Sequence, residues 1–324
     1  MGELSQGEVK ELLRARGSDQ RQLFAQARAA RARRFGNRAV VRGVVEVASA
    51  CIRNCSYCPM RKDNRIARYV YGPGQIISQA RDVLASGIKV VSLQGGELPR
   101  TTQTVGGAIP AIREMFGEDV DILLVLGDKS DEEYAYLRAQ GATSYILKHE
   151  TSDARLHLEH RYYPLEARIG RIESLLALGF RVGIGTIVGL PGQTIDTLAS
   201  DILLGDILGA HMWSASPFVP ARGTPLENCA AGDVQLTLNA IATARLLLPH
   251  ALIPSVSALE TVFPGAQTEG FRAGANVMTV NFTRSRDRNN YPIYGDKRFI
   301  VDLSYASDVL RKAGLQSSLR SCDS

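Results

Sequence analysis

Short apolar runs rich in Val, Ile and Leu recur along this chain and alternate with longer stretches whose apolar residues fall three and four positions apart. Eight runs read as strands, at residues 40–47, 89–93, 121–126, 144–147, 181–188, 211–218, 252–256 and 275–280. Between them, helical spacing spans 75–85, 105–116, 131–140, 165–178, 195–208, 234–248 and 265–272. Gly87, Gly141, Gly179 and Gly274 fall where such helices would be C-capped. Two further helical patterns open the chain, the second over 20–34. Strict alternation of strand and helix implies parallel strands joined by crossovers, and eight such units can close as a TIM-type (βα)8 barrel, with a doubly wound open sheet as the alternative. The pattern divides the chain into an N-terminal helical segment (1–38), a barrel (39–283) and a C-terminal extension (284–324). Because the extension follows the eighth strand, it is expected to cover the barrel mouth.

With 45 % hydrophobic residues, the 324-residue chain can bury the core of one such barrel. No apolar run approaches the ~20 residues of a membrane span, and no apolar stretch near the start resembles a signal peptide, so a cytoplasmic protein without a membrane partner is expected. The net charge of +5 is local: the first 38 residues hold nine Lys or Arg against four Asp or Glu. Arg28, Arg31, Arg33 and Arg34 interleave with alanines at helical spacing, which reads as a solvated helix face and not as a nucleic-acid surface.

Candidate chemistry concentrates in the cysteines. Three of the five fall within eight residues, Cys51, Cys55 and Cys58, spaced CxxxCxxC directly after the first strand. That clustering suits metal ligation better than a disulfide framework. Cys229 and Cys322 stand apart and read as ordinary thiols. Three thiolates on one loop can ligate three irons of a 4Fe–4S cluster and leave the fourth open. S-adenosylmethionine (SAM) can chelate that iron, and an electron from the cluster then breaks a carbon–sulfur bond to give a 5′-deoxyadenosyl radical. Structural zinc would want four closed ligands, and the sequence offers no second CxxC or Cys-His pair.

The cysteine motif, with Tyr57 before its last cysteine, resembles that of the radical SAM superfamily. Arg61-Lys62-Asp63-Asn64, Leu93-Gln94-Gly95-Gly96-Glu97 and Leu147-Lys148-His149-Glu150-Thr151 resemble a narrower group, as do the run from Gly185 to Thr194, Pro217-Phe218-Val219-Pro220 and Gly274-Ala275-Asn276-Val277. That group contains the [FeFe]-hydrogenase maturase HydE, 3-methylornithine synthase and biotin synthase, and the similarity extends over roughly 20–315. The resemblance implies that Cys51, Cys55 and Cys58 hold the cluster. It also implies that Gly95, Gly96 and Glu97 meet the SAM amino group, Glu97 as an acceptor. Arg168 would pair with the SAM carboxylate, with Arg171 as a weaker substitute, and Glu150 would accept from the ribose hydroxyls or the amino group. Tyr57 would serve the adenine through its backbone, and Val219 would form an apolar wall. The glycines from Gly183 onward would let the adenine lie on their strand, although a tight turn explains Pro191-Gly192 equally well.

No catalytic residue for the substrate step is legible. Gln94, Ser214, Ser216, Ser255, Ser257, Thr279 and Asn281 lie near predicted strand ends and are candidate substrate contacts. Biotin synthase holds a second cluster inside its barrel, and this chain lacks cysteines for one at comparable strands. The maturase can carry an accessory cluster on a cysteine trio near its C-terminus, which Cys322 alone cannot supply. The ornithine-forming enzyme recognises an amino acid by paired charges, for which Arg222, Glu260 and Arg272 are candidates. The expected function is a HydE-like or methylornithine-synthase-like enzyme acting on a small amino-acid-like or thiol-containing molecule. It would draw electrons from an external donor such as flavodoxin or ferredoxin. Sulfur insertion of the lipoyl- or biotin-synthase type is the second reading, and a non-catalytic iron–sulfur assembly scaffold the third.

Overall fold

The computed structural model describes residues 4–117 and 119–319. Helices α1 (Gln6–Arg14) and α2 (Gly17–Phe35) precede β1 (Arg38–Ala48). Then follow α3 (Pro73–Ala85), β2 (Val90–Gly95), α4 (Arg100–Gly106), α5 (Ile109–Phe116), β3 (Asp121–Val125), α6 (Asp131–Ala139) and β4 (Ser144–Ile146). Next come α7 (Ala154–Arg161), α8 (Leu165–Ala177), β5 (Arg181–Val188), α9 (Ile195–Ile207), β6 (Met212–Pro217), α10 (Val234–Leu247), α11 (Ser257–Val262), α12 (Ala266–Arg272) and β7 (Val277–Asn281). A short α13 (Ser285–Arg288), α14 (Leu303–Lys312) and β8 (Gln316–Ser318) complete the described chain. Cys322 lies outside the described residues. Among the described residues no helix is long and apolar enough to cross a membrane.

The sheet is parallel, in the order β6-β5-β4-β3-β2-β1-β7, and curls into a partial TIM-like barrel. Between its two edges runs the segment predicted as a strand at 252–256. It forms no strand, only two parallel bridges, Leu252 to Met212 and Pro254 to Val277. The reason is local, because Pro254 has no N–H to donate. What fixes the segment is a buried polar hub: Asn276 Oδ1 accepts from the Ile253 amide (2.8 Å) and from Arg245 Nη2 (2.8 Å). Arg245 itself donates to the carbonyls of Ala251 and Gly274 (2.8 and 3.0 Å).

Alternation along β1 sets inside against outside. Outward Val41, Val45 and Val47 join the main core with Ile76, Ala80 and Val83 of α3. A Cβ on Gly43 would lie 2.5 Å from Val83 Cγ1, so only glycine lets α3 pack this closely. Inward, Val40 packs with Val90, Val277 and Leu252 as an apolar floor, and Arg42 and Glu46 stand above it on the same face. The predicted helix at 105–116 is broken into α4 and α5 beside Gly107 and Pro110. Part of the basic opening is structural: Arg31 is buried and donates to the carbonyls of Phe271 (2.6 Å) and Ala275 (3.1 Å), docking α2 on the loop before β7.

The C-terminal extension divides. Its first part, up to about Arg298, sits over the cavity at the C-terminal ends of the strands. Its last part goes to the other end, where β8 pairs with Arg38 to Val40 at the start of β1.

Candidate active site

The cysteine loop leaves β1 at a register shift between Glu46 and Ala48 and crosses to the end of β2. Two backbone bonds pin it there: Gly96 N donates to Ala48 O (2.9 Å) and Ile52 N to Glu97 O (2.8 Å). A Cβ on Gly96 would stand 2.3 Å from Ala50 O and 2.9 Å from Cys51 Cβ. The cysteine loop that packs on it therefore requires glycine here, a constraint separate from the ligand approach that the family resemblance implies. Cys51, Cys55 and Cys58 all line one cavity of about 270 Å³ together with Gly95, Gly96 and Glu97. All three are free thiols whose pKa burial pushes upward; neighbouring sulfurs add to this at Cys51 and Cys58, while Arg161 opposes it at Cys55.

Beside the loop lies a network of charged side chains at the ends of β2, β3 and α7. Glu97 accepts from Arg53 Nε, and its other oxygen is 3.6 Å from Arg161 Nη2. Asp128, after β3, lies 2.9 Å from Arg168 Nη1, 3.5 Å from Arg53 and 3.9 Å from Arg161. Burial, and after it Glu97, raises the Asp128 carboxyl. Arg168 and Arg161 are buried and line the cavity, yet Nε and Nη2 of Arg168 and Nε of Arg161 have no hydrogen-bond partner among the described residues. Arg171 points elsewhere, to Asp131 (2.8 Å) on the surface. Glu150 follows β4 in the left-handed region (φ 65), a conformation costing roughly 1–3 kcal/mol in a non-glycine residue and typical of functional sites. Bonds from the Ile187 amide (3.0 Å) and the Thr186 hydroxyl (2.9 Å) to its carbonyl hold it there, and its Oε2 sits 3.5 Å from Lys148 Nζ.

The opposite wall is apolar. Tyr57 packs against Ile187, Leu190 and Phe218, and its hydroxyl accepts from Arg161 Nη1 (3.3 Å). Val219 lines the same side. The strand glycines find their reason in packing: Cβ atoms on Gly183 and Gly185 would meet Ile146 (2.7 Å) and Ser214 (2.3 Å). Gly192, at φ 86, belongs to the turn after β5.

Deeper in the cavity, Gln94, Ser214, Ser216 and Thr279 line it as expected. Ser255 instead donates to Gln267 O (2.6 Å), Ser257 opens α11, and Asn281 donates to Glu46 (3.0 Å). Arg222, Glu260 and Arg272 do not line it: Glu260 caps the amides of Gly265 and Gln267, and Arg272 pairs with Glu269. The charges that do face inward are Arg42 and Lys148, with Tyr291 and Tyr294 of the C-terminal segment. Arg42 donates through Nε to Thr279 Oγ1 (2.7 Å), and burial lowers it to about 10. The signal for Arg42 lies in the alternation of β1, which puts it inward with Val40, whereas Lys148 stands two residues beyond β4.

A family model described as the radical SAM superfamily matches residues 45–204, and one described as the Biotin and Thiamin Synthesis associated domain matches residues 214–299. The [FeFe] hydrogenase maturase subunit HydE of Thermotoga maritima is 37 % identical over 277 residues, covering 85 % of this chain and 79 % of that protein. The chain belongs to the radical SAM superfamily. It is also similar to 3-methylornithine synthase of Methanosarcina acetivorans, at 24 % identity over 280 residues, 86 % of this chain and 79 % of that one. The crystal structure of a methylornithine synthase shares the fold, with a TM-score of 0.84 at 21 % identity over 98 % of this chain and 95 % of that one. As a radical SAM enzyme the protein uses a 4Fe–4S cluster and SAM, acts on a small molecule and needs a reductant.

The residues present fit both cofactors. Three free thiols of one loop face a shared cavity. Three thiolates on one loop are the donor set that ligates three irons of such a cluster. The spare guanidinium N–H groups of Arg168 and Arg161 suit a carboxylate, and the Tyr57 wall suits an aromatic base.

Proposed function

We propose that this radical SAM enzyme is a HydE-like or methylornithine-synthase-like catalyst acting on a small amino-acid-like or thiol-containing substrate. Cys51, Cys55 and Cys58 would hold the cluster, which with SAM supplies reductive carbon–sulfur cleavage and a carbon-centred hydrogen abstractor. Arg168, with its free N–H groups, would orient the SAM carboxylate, and Glu150 the ribose or amino group. Tyr57 and Val219 would bound the adenine, and Gly95 and Gly96 would shape the backbone beside it. Glu97 is less free than an isolated acceptor, because Arg53 and Arg161 already match its charge. Its proposed task is then to hold those two arginines in place as well as to meet the ammonium group.

The observation that carries the substrate class is Arg42, which faces the cavity, meets a hydroxyl and has no ion pair among the described residues, whereas Lys148 is matched by Glu150. Such a site is electrostatically prepared for an acid or thiolate group. Tyr291 and Tyr294 would close it against water. Sulfur insertion has less support, since among the described residues no cysteine besides the three lines the cavity. Flavodoxin or ferredoxin is the proposed electron source. Iron and sulfide analysis with SAM turnover under dithionite tests the reading. About four irons per chain and formation of 5′-deoxyadenosine are expected. Clearly more iron would favour sulfur insertion, and no SAM cleavage would favour a scaffold.

A further inference from the structure

Three large apolar side chains stand in solvent beside the cysteine loop. Ile52, directly after Cys51, is 48 % exposed, and Leu158 and Tyr162, one turn apart on α7, are 54 % and 58 % exposed. α7 is clamped to the loop. Ser56 N donates to His160 O (2.8 Å), and the His160 ring bridges Ser56 Oγ (2.8 Å) and Pro191 O (3.0 Å). A carbonyl only accepts, so Nε2 carries the ring proton and the Ser56 hydroxyl donates to Nδ1. Tyr162 adopts a left-handed backbone (φ 56) at the end of α7, an unfavourable conformation that leaves an aromatic ring in water. An apolar cluster kept exposed at such a cost marks an interaction site.

The charges around it have one sign to spare. Asp63 faces Arg61 (4.0 Å) and Asn54 (2.8 Å), and Glu159 is paired with Arg155 (3.1 Å). Lys62 and Arg65, both exposed on the cysteine loop, have no ion pair among the described residues, while Arg222, whose carbonyl contacts Asn64 (3.4 Å), has Glu227 on the neighbouring Gly223 amide (2.8 Å). An apolar centre with an unmatched cationic rim fits a transient partner with an acidic face. We propose that this face docks the reductant, a small acidic electron-transfer protein of the flavodoxin or ferredoxin class, against the loop that holds the cluster. The proposal rests on the assignment of the cluster to Cys51, Cys55 and Cys58.

The test uses the cluster-loaded protein and a bacterial flavodoxin in its reduced state, mixed in a stopped-flow instrument while flavodoxin oxidation is followed. The expected second-order rate falls steeply with salt. Leu158→Glu and Lys62→Glu each lower it by about tenfold or more, with Leu158→Lys less affected. Tyr162→Asn, which tolerates the left-handed backbone, lowers it as well. SAM cleavage driven by dithionite, which needs no docking face, stays at the parent level in these variants. Leu158 lies on the helix and Lys62 on the loop, so local damage in one variant leaves the other to decide. Flavodoxin rates that match the parent in the variants, or that ignore salt, would overturn the proposal. So would a parent protein that sediments as a dimer and is dissociated by Leu158→Glu, which would give the face to a second copy. Failure of dithionite to drive SAM cleavage in the parent would instead refute the cluster assignment.

Discussion

Replacing Arg298 by Met tests what holds the C-terminal segment over the cavity. Arg298 pairs bidentately with Glu46, at 2.6 and 2.9 Å, and both side chains are more than nine-tenths buried. It also donates to Arg288 O (3.2 Å) and lies 5.5 Å from the Tyr291 ring centroid. The variant leaves the Glu46 charge buried with Asn281 as its remaining side-chain donor. Removing one partner of a buried pair costs about 3–5 kcal/mol. The segment's other ties are few, Tyr71 to Asp287 (2.6 Å) and Gln94 to Tyr291 (3.1 Å) among them, so the loss should appear as local opening more than as global unfolding. At about 1.4 kcal/mol per decade, amide exchange across 284–298 should accelerate by two decades or more. Adding Glu46→Gln removes the stranded charge and should recover part of the loss, a coupling of at least roughly 1 kcal/mol. With a substrate in hand, Arg298→Met should form 5′-deoxyadenosine without matching product, because an open mouth lets the radical react with other groups. Exchange within threefold of the parent, with unchanged coupling, would refute a closing role for this ion pair.

Further outcomes follow from the loop and the buried histidines. Cys55→Ala should lose the cluster and SAM cleavage with the circular dichroism of the barrel retained, since the ligand sits on a loop; a full iron complement in that variant would sink the assignment. Gly96→Ala should also lose iron, because its Cβ would be forced within 2.3 Å of Ala50 O, whereas Gly95→Ala, with a nearest contact of 3.3 Å, should keep most of it. Burial holds His149 down to about 3 and His157 to about 4, so the unfolded chain binds more protons than the native one below about pH 6.5, and stability falls as pH drops through that range. Asp201 and Asp128, both raised to about 6 chiefly by burial, act in the opposite direction and largely offset that contribution between about pH 4 and 6, so the net loss falls below about pH 4. His149→Gln should lower the slope of unfolding free energy against pH by about 1.4 kcal/mol per pH unit between pH 4 and 6 relative to the parent, measured by urea denaturation.

What the sequence disclosed follows from where local chemistry decides the outcome. The spacing of Cys51, Cys55 and Cys58 and the strand at 181–188 were legible because they depend on neighbours in the chain. The segment at 252–256 reads as a strand by apolarity but carries Pro254, and its place depends on Arg245 and Asn276 more than on its own pattern. α7 was missed because its buried residues include His157, His160 and Arg161, so no apolar stripe announces it. Asp128 and Arg161 escaped for another reason. Their meeting with Glu97 and Arg53 is made by three loops and the end of α7, which converge only when the sheet curls, and no single window contains it.

The pairing of β1 with β7 has a consequence for how the protein is made. During synthesis the three cysteines emerge about 220 residues before β7, an interval of roughly 10–45 s at 5–20 residues per second. Throughout it β1 lacks β7 beside it, while the wall of Ile187, Leu190 and Phe218 beside Tyr57 follows the cysteines by about 130–160 residues. The nascent chain therefore carries three thiols without their enclosing wall for about half of its translation.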